Sequence, residues 1–336
     1  MKALSHSPDN GVAHGGLGGA AQQSDGGWAI EAQGLTKRFG DVQAVNGIDL
    51  QVPRGQIFGF LGVNGSGKST TVRMLATLMA PTAGQARVGG LDVATHARAV
   101  RRKIGVALQE VGLDALQTGR ELLWLQARLH RVERIEDRIE KLLDVVDLER
   151  VADRRIGTYS GGMRRRLDLA SALVHEPEIV FLDEPTTGLD PISRESLWRY
   201  VERLNQEDGV TFFLTTQYLE EVDRLAHDVA ILHAGEIVMQ GSPRELKASI
   251  GAEVVIVELS AEPNEEGIQI LEALRGVKQV RTEGAQMSID VADGSAAISS
   301  IVRALDGAGL AFGAMRISQP TLDDVFLRLT GDQPER

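Results

Sequence analysis

The sequence predicts an α/β protein: a large domain on a mostly parallel sheet, followed by a smaller α+β unit of ferredoxin-like order. Two observations predict it. From Trp28 onward, short apolar runs alternate with longer helical patterns, the texture of strand–helix–strand units that bury a parallel sheet. Beyond Gly251 the order of elements becomes βαββαβ, the split βαβ arrangement. With 336 residues, 43% of them apolar, the chain suffices for one large domain or two ordinary ones.

Taken in order, residues 1–27 carry one lysine (Lys2), no apolar block, and a run of Gly, Ala, Gln and Ser. That is the composition of a flexible tail and not of a secretion signal. Residues 57–61 read as a buried strand, as do 179–182, 211–214 and 229–232, each a short apolar run rich in β-branched or aromatic residues. Between 113 and 173 the pattern turns helical, including the charge-laced segment 134–146, and is expected as a helical subdomain inserted into the sheet. Ser242-Pro243-Arg244-Glu245 is a capping box with proline at the first helical position. The smaller unit then has strands at 254–259, 276–281, 287–291 and 312–317, with helices at 267–274 and 295–308. A last helix, 322–329, opens at Thr321 with Asp324 three residues on. The expected divisions are a tail (1–27), the large domain (28–250), the accessory unit (251–331) and a short end (332–336).

Composition narrows the function. With 47 acidic and 36 basic side chains, the formal charge is −11, which argues against a nucleic-acid-binding domain. There is no cysteine, so disulfides, Fe–S clusters and thiolate zinc sites are ruled out. The seven histidines have no metal-ligand spacing. No stretch approaches the roughly 18–20 consecutive apolar residues that span a bilayer. Any membrane role therefore runs from the cytoplasmic face through a partner.

Gly62-Val63-Asn64-Gly65-Ser66-Gly67-Lys68-Ser69-Thr70 fits G-x-x-x-x-G-K-[ST], with a buried strand before it and an amphipathic helix after it. Such a loop wraps a phosphate with backbone N–H groups, and the helix N-terminus adds a favourable dipole. Gly62, Asn64, Gly65, Ser66, Gly67, Lys68, Ser69 and Thr70 are the expected phosphate-binding set. Lys68 is expected to reach the β- and γ-phosphates of a nucleotide, and Ser69 to bind Mg²⁺. The strand 179–182 ends in Asp183-Glu184, two carboxylates at the edge where open α/β sheets bind ligands. Asp183 suits the Mg²⁺ shell, and Glu184 is placed to polarise an attacking water as general base.

Tyr159-Ser160-Gly161-Gly162-Met163 lies shortly before the carboxylate strand and opens a helix bearing Arg164, Arg165 and Arg166. It resembles the signature sequence of ABC ATPases, Leu-Ser-Gly-Gly-Gln, with the first and last positions changed. The retained Ser160, Gly161 and Gly162 present free N–H groups and a hydroxyl to an anion. Through that resemblance Phe39 is expected to stack on adenine, and Gln109 to link Mg²⁺ to the helical subdomain. Asp190, in Thr186-Thr187-Gly188-Leu189-Asp190-Pro191, is expected to cross the contact between two copies, and it also suits a helix cap. One departure stands out. Where most of the family has a histidine on the γ-phosphate, this chain has Gln217, an amide that donates a hydrogen bond but carries neither proton nor charge.

The segment 215–221 (Thr-Thr-Gln-Tyr-Leu-Glu-Glu) and the closing segment 322–331 resemble the daunorubicin-resistance branch of ABC transporter ATPases. That resemblance implies a bacterial energising subunit that works as a homodimer with a separate integral membrane permease to export a drug-like or lipid-like compound. In the implied dimer, Ser160-Gly161-Gly162 of one copy covers the ATP on the Lys68 loop of the other. The competing class is a soluble ABC ATPase with a non-transport role, such as cofactor or complex assembly. A single cassette, the lack of a long heptad run and the C-terminal unit all count against it.

Overall fold

The computed structural model describes residues 27–108, 112–250, 253–291, 294–318 and 321–330. Gln109 lies outside them, as do residues 1–26 of the expected tail. The four apolar runs form strands: β3 (Ile57–Leu61), β7 (Ile179–Asp183), β8 (Thr211–Thr216) and β9 (Asp228–His233). With β6 (Ile104–Ala107) and β10 (Glu236–Gly241) they make one sheet in the order β10-β9-β3-β8-β7-β6. All its pairings are parallel except that of β10, which closes one edge antiparallel to β9.

These strands read as unbroken apolar runs because both faces are covered. Alternate residues go to different cores. Ile57, Leu61, Val180, Leu182, Phe212, Leu214, Val229 and Ile231 face a helical layer. Phe58, Phe60, Phe181, Phe213, Ala230 and Leu232 face the other way. There Phe213 packs on Phe58, Phe60 and Phe181 with ring centroids between 5.2 and 5.6 Å.

What covers that second face is a sheet the sequence pattern does not resolve. The strands β1 (Ile30–Phe39), β2 (Val42–Val52), β4 (Ala83–Val88) and β5 (Leu91–Asp92) form an antiparallel sheet in the order β2-β1-β4-β5. Register shifts in the β1–β2 pair, at Ala32/Leu35, Leu35/Lys37 and Lys37/Arg38, break the period-two pattern that marks a strand in sequence. Helices α1 (Lys68–Leu75) and α2 (Ala97–Lys103) complete this side.

On the first face lie α3 (Gly119–His130), α4 (Ile135–Val145) and α5 (Gly161–Leu173), the helical block expected from the sequence, together with α6 (Pro191–Asp208) and α7 (Leu219–Leu225). Leu122, Leu123, Ile139, Leu142, Leu143 and Leu167 bring the block into the large core. A reciprocal capping box starts α3: the Glu121 N–H donates to Thr118 Oγ1 at 3.1 Å, and the Thr118 N–H to Glu121 Oε2 at 2.8 Å.

The chain then enters α8 (Pro243–Ile250), capped as expected by Ser242, whose N–H donates to Glu245 Oε2 at 2.9 Å. The remaining elements are β11 (Glu253–Leu259), α9 (Glu265–Glu272), β12 (Val277–Glu283), β13 (Gln286–Val291), α10 (Gly294–Gly307) and β14 (Phe312–Ser318). Their antiparallel order, β12-β13-β11-β14, is that of a ferredoxin-like sheet, with its own core around Val255, Val257, Leu271, Ile289, Ile301 and Leu305. The last helix, α11 (Leu322–Thr330), follows this unit in sequence but packs elsewhere. Its Leu322, Val325 and Phe326 are buried in the large core, where α11 lies on α7 and α8.

A pair of histidines titrates at the edge of the helical block. His175 and His130 stack with centroids 4.0 Å apart, and His175 Nε2 lies 2.9 Å from the Ile104 carbonyl oxygen. Burial pushes His175 down to about 4, helped by the neighbouring His130. The folded state thus keeps it neutral, while the unfolded chain takes up its proton near the ordinary histidine value of 6.5. The stability it contributes is present in full above about pH 6.5 and is lost as pH falls toward about 4. After discounting for partial exposure, this amounts to about 1–2 kcal/mol. His175→Asn should flatten that acid limb in urea unfolding across the same range; an unchanged limb would place the titration elsewhere.

Candidate active site

The site is assembled at the C-terminal ends of three adjacent strands. β8 lies between β3 and β7, with Thr215 opposite Phe60 on one side and Asp183 on the other. The loop after β3, the carboxylates ending β7 and the bend after β8 therefore open onto one edge, the crevice where α/β sheets take ligands.

The loop after β3 turns into α1 through Gly67, at φ +109°, where a Cβ would sit 2.4 Å from the Ala44 carbonyl oxygen. Only glycine fits such an approach. Lys68 follows and is 4% exposed. Its ammonium donates to the carbonyls of Gly62 at 2.7 Å and Val63 at 3.2 Å, and lies 3.7 Å from Glu184 Oε1, itself 7% exposed. Ser66 Oγ is buried within the loop without a hydrogen-bond partner. A buried cation beside an orphaned hydroxyl and backbone-lined glycines fits an anionic phosphate.

Asp183 and Glu184 are held by β8. The Thr215 hydroxyl donates to Asp183 Oδ1 at 2.6 Å and accepts from the Glu184 N–H at 3.1 Å. The same N–H reaches the Thr215 carbonyl at 3.1 Å. This pinning sustains a left-handed backbone at Glu184, φ +48°, a strained conformation for a non-glycine residue. The Thr187 hydroxyl reaches Glu184 Oε2 at 3.3 Å. The Ser69 hydroxyl donates to Asp183 Oδ1 at 3.1 Å. Two oxygens so spaced match neighbouring ligands of an octahedron with bonds of about 2.1 Å, which lie about 3 Å apart. The donor set thus fits a magnesium ion.

The remaining expected residues lie around this centre. Ser160 and Gly161 are exposed at the start of α5, where Ser160 Oγ accepts from the Met163 N–H at 3.2 Å; Gly162 is buried. Asp190 caps α6, accepting from the Ser193 N–H at 3.0 Å and the Ser193 hydroxyl at 2.6 Å, and these bonds hold its carboxyl below the usual carboxylate range. Phe39 ends β1 with 47% of its surface exposed and the Lys37 ammonium 5.3 Å from its ring centre. Gln217 is half-buried in the bend after β8.

Three residues escaped the sequence reading. Thr215 is one: β8 runs two residues beyond the expected strand 211–214, and only its pairing with β3 and β7 brings the hydroxyl to the carboxylates. Arg165 is 5% exposed on α5, with its guanidinium on the carbonyls of Leu108, Asp183 and Pro185 and on the Asp168 carboxylate. Burial pushes Asp168 up to about 6, against the pull of Arg165. Glu221, on α7, accepts from the hydroxyls of Thr186 at 2.9 Å and Thr216 at 3.2 Å and pairs with Arg194 at 3.4 Å. Burial raises its carboxyl above the usual range. It joins the segment leading to Asp190 with the strand leading to Gln217.

A phosphate-binding loop, a carboxylate pair and a helix-borne Ser-Gly-Gly on this sheet define an ATP-binding cassette. The family description "ABC transporter" matches residues 45–187, and "ATP-binding protein DrrA1-3-like, C-terminal domain" matches residues 241–330. The chain is 45% identical over 306 residues to Daunorubicin resistance ATP-binding protein DrrA3 of Streptomyces coeruleorubidus, covering 90% of this chain and 96% of that one. It is 38% identical over 311 residues to Nod factor export ATP-binding protein I of Rhizobium sp. (strain N33), covering 92% and 99%. Among solved structures it resembles a dimeric ATP-binding cassette in a post-hydrolysis state bound to ADP and Pi, with a TM-score of 0.59 and 26% identity over 63% of this chain and 98% of that one. The chain belongs to the ABC transporter ATP-binding proteins of the daunorubicin-resistance (DrrA-like) family, and it binds and hydrolyses ATP.

Thr215→Val removes the hydroxyl shared by Asp183 and Glu184 while keeping the strand's shape. We expect turnover to fall about 10- to 100-fold, the cost of a misplaced catalytic group, with a stability loss of about 1–3 kcal/mol. Steady-state ATPase assays and urea unfolding check both; wild-type turnover would show that Glu184 does not depend on this hydroxyl.

Proposed function

We propose that the chain energises an exporter of drug-like or lipid-like compounds whose membrane-spanning part is a separate permease, and that it acts as a homodimer at the cytoplasmic face of the membrane. The observation that carries the reading is the buried Lys68–Glu184 pair beside the Ser69–Asp183 contact, set in a chain so similar to drug-resistance ATP-binding proteins. Among the described residues no helix is long and apolar enough to cross a membrane, in keeping with a separate permease. Around α3, the side chains of Leu116, Trp124, Leu125 and Leu129 are exposed, an apolar surface suited to such a partner.

In this reading Phe39 stacks on adenine, and the loop from Gly62 to Thr70 wraps the phosphates. Lys68 turns its ammonium from the loop carbonyls to the β- and γ-phosphates. Ser69 and Asp183, with Gln109, would hold Mg²⁺, which offsets phosphate charge. Glu184 takes a proton from the attacking water, and its left-handed backbone keeps the carboxylate aimed. Gln217 donates to the γ-phosphate as a neutral group, so its contribution carries no histidine-like pH dependence. Ser160 and Gly161, both exposed, cap the nucleotide on a second copy, with Asp190 at the contact.

Three substitutions test the site. Glu184→Gln should accumulate an ATP-bound dimer, seen by light scattering, while Lys68→Ala should abolish nucleotide binding. Gln217→Ala should slow hydrolysis and leave binding in place. Hydrolysis at the wild-type rate in Glu184→Gln would remove the general-base role. For the transport reading, a mild-detergent pull-down from native cells should recover a stoichiometric polytopic membrane protein. Recovery with ribosomal or assembly proteins alone would contradict it.

A further inference from the structure

Arg165 is the deepest-buried arginine among the described residues, and the catalytic scheme gives it no task. Its guanidinium is a planar fork of five N–H donors. Nε donates to the Pro185 carbonyl at 2.9 Å and Nη2 to the Asp183 carbonyl at 2.9 Å, so the fork grips the backbone on both sides of Glu184. Nη1 donates to the Leu108 carbonyl, one residue before Gln109, and to Asp168 Oδ2 at 3.2 Å. Asp168 lies one turn away on the same helix, so α5 balances the charge internally. The three carbonyl bonds are the ones that cross between elements.

At its N-terminal end α5 is equally fixed. A Cβ at Gly162 would lie 2.8 Å from Ser193 Oγ, and that hydroxyl holds Asp190. The exposed edge made by Ser160, Gly161 and Asp190 is therefore joined at contact distance to the helix whose Arg165 grips the turn bearing Glu184. A lysine would keep the charge, but a single ammonium on a flexible stem cannot hold three carbonyls from two segments in one plane.

We propose that Arg165 is a positioning residue that makes the aim of Glu184 depend on the placement of its own chain's Ser160-Gly161-Gly162. The inference rests on the proposed dimer, in which that triplet lies on the partner's nucleotide. ATP bound by one copy then sets the catalytic carboxylate of the other. The link is helix α5 and the hydrogen bonds of its arginine, a contiguous path between packed elements that can carry coupling between two sites.

The test compares the wild-type chain, Arg165→Lys and Arg165→Gln, each also made in the Glu184→Gln background. ATP affinity at low chain concentration should stay within about twofold of wild type, while turnover falls at least about tenfold, as for a misplaced catalytic group. In the Glu184→Gln background ATP should still drive dimer formation. Hydrogen exchange then reads the link. ATP should protect segment 183–190 when Arg165 is present; in both variants that protection should be lost while protection of the Lys68 loop persists. A purely structural arginine would lower stability and leave this differential protection intact. Wild-type turnover or retained protection of 183–190 in either folded variant overturns the inference. Failure of Glu184→Gln to dimerise with Arg165 present would instead overturn the dimer reading.

Discussion

Burial of the Lys68 ammonium is the constraint on which the rest of the structure depends. A charge at 4% exposure is tolerable only where neutral carbonyls and a carboxylate meet it, and removing one member of such a pair costs about 3–5 kcal/mol. Glu184 can serve as that carboxylate because β8 lies between β3 and β7, so the ends of the phosphate-loop strand and the carboxylate strand flank a single threonine. The strand order in turn needs both faces of the sheet covered, one by the helical layer and one by the antiparallel sheet. The dryness of the site and the architecture of the large domain are therefore one problem with one solution.

Contiguity decided what was legible in the sequence. The loop from Gly62 to Thr70, the Asp183-Glu184 pair and the Ser160-Gly161-Gly162 helix start are each a few adjacent residues whose chemistry follows from backbone geometry. The same holds for the four buried strands, for the capping boxes at Ser242 and Thr321, and for the βαββαβ order after residue 251, where one element follows another without interruption. What was not legible depends on residues far apart in the chain. Register shifts hid β1 and β2, because bulges destroy the alternation that marks a strand. Thr215 lay just past the expected strand 211–214, and its role became plain only when its neighbours β3 and β7 were known. Arg165 read as one of three arginines on a helix face, yet Arg164 is exposed while Arg165 is buried on backbone carbonyls. No local pattern separates the two. The closing helix is a similar case: its apolar stripe is plain, but it enters the core of the large domain on α7 and α8, across the whole accessory unit in sequence.

The placement of α11 gives the accessory unit a second attachment. The chain leaves the large domain through α8, builds a sheet with its own core, and returns its last helix to α7 and α8. On α7 sits Glu221, which joins the Thr186 segment to Thr216, the residue before Gln217. The accessory unit is thus tied to the same edge of the sheet that carries the candidate site.

The central claim is that this edge is half of an ATP site and that a second copy supplies the other half. The most direct measurement is the specific ATPase activity of the isolated chain as a function of its own concentration, at saturating ATP. If Ser160 and Gly161 of a partner complete the site, activity per chain rises with concentration and reaches a plateau where the dimer predominates. Activity per chain that stays constant down to concentrations where light scattering shows only monomer would contradict it.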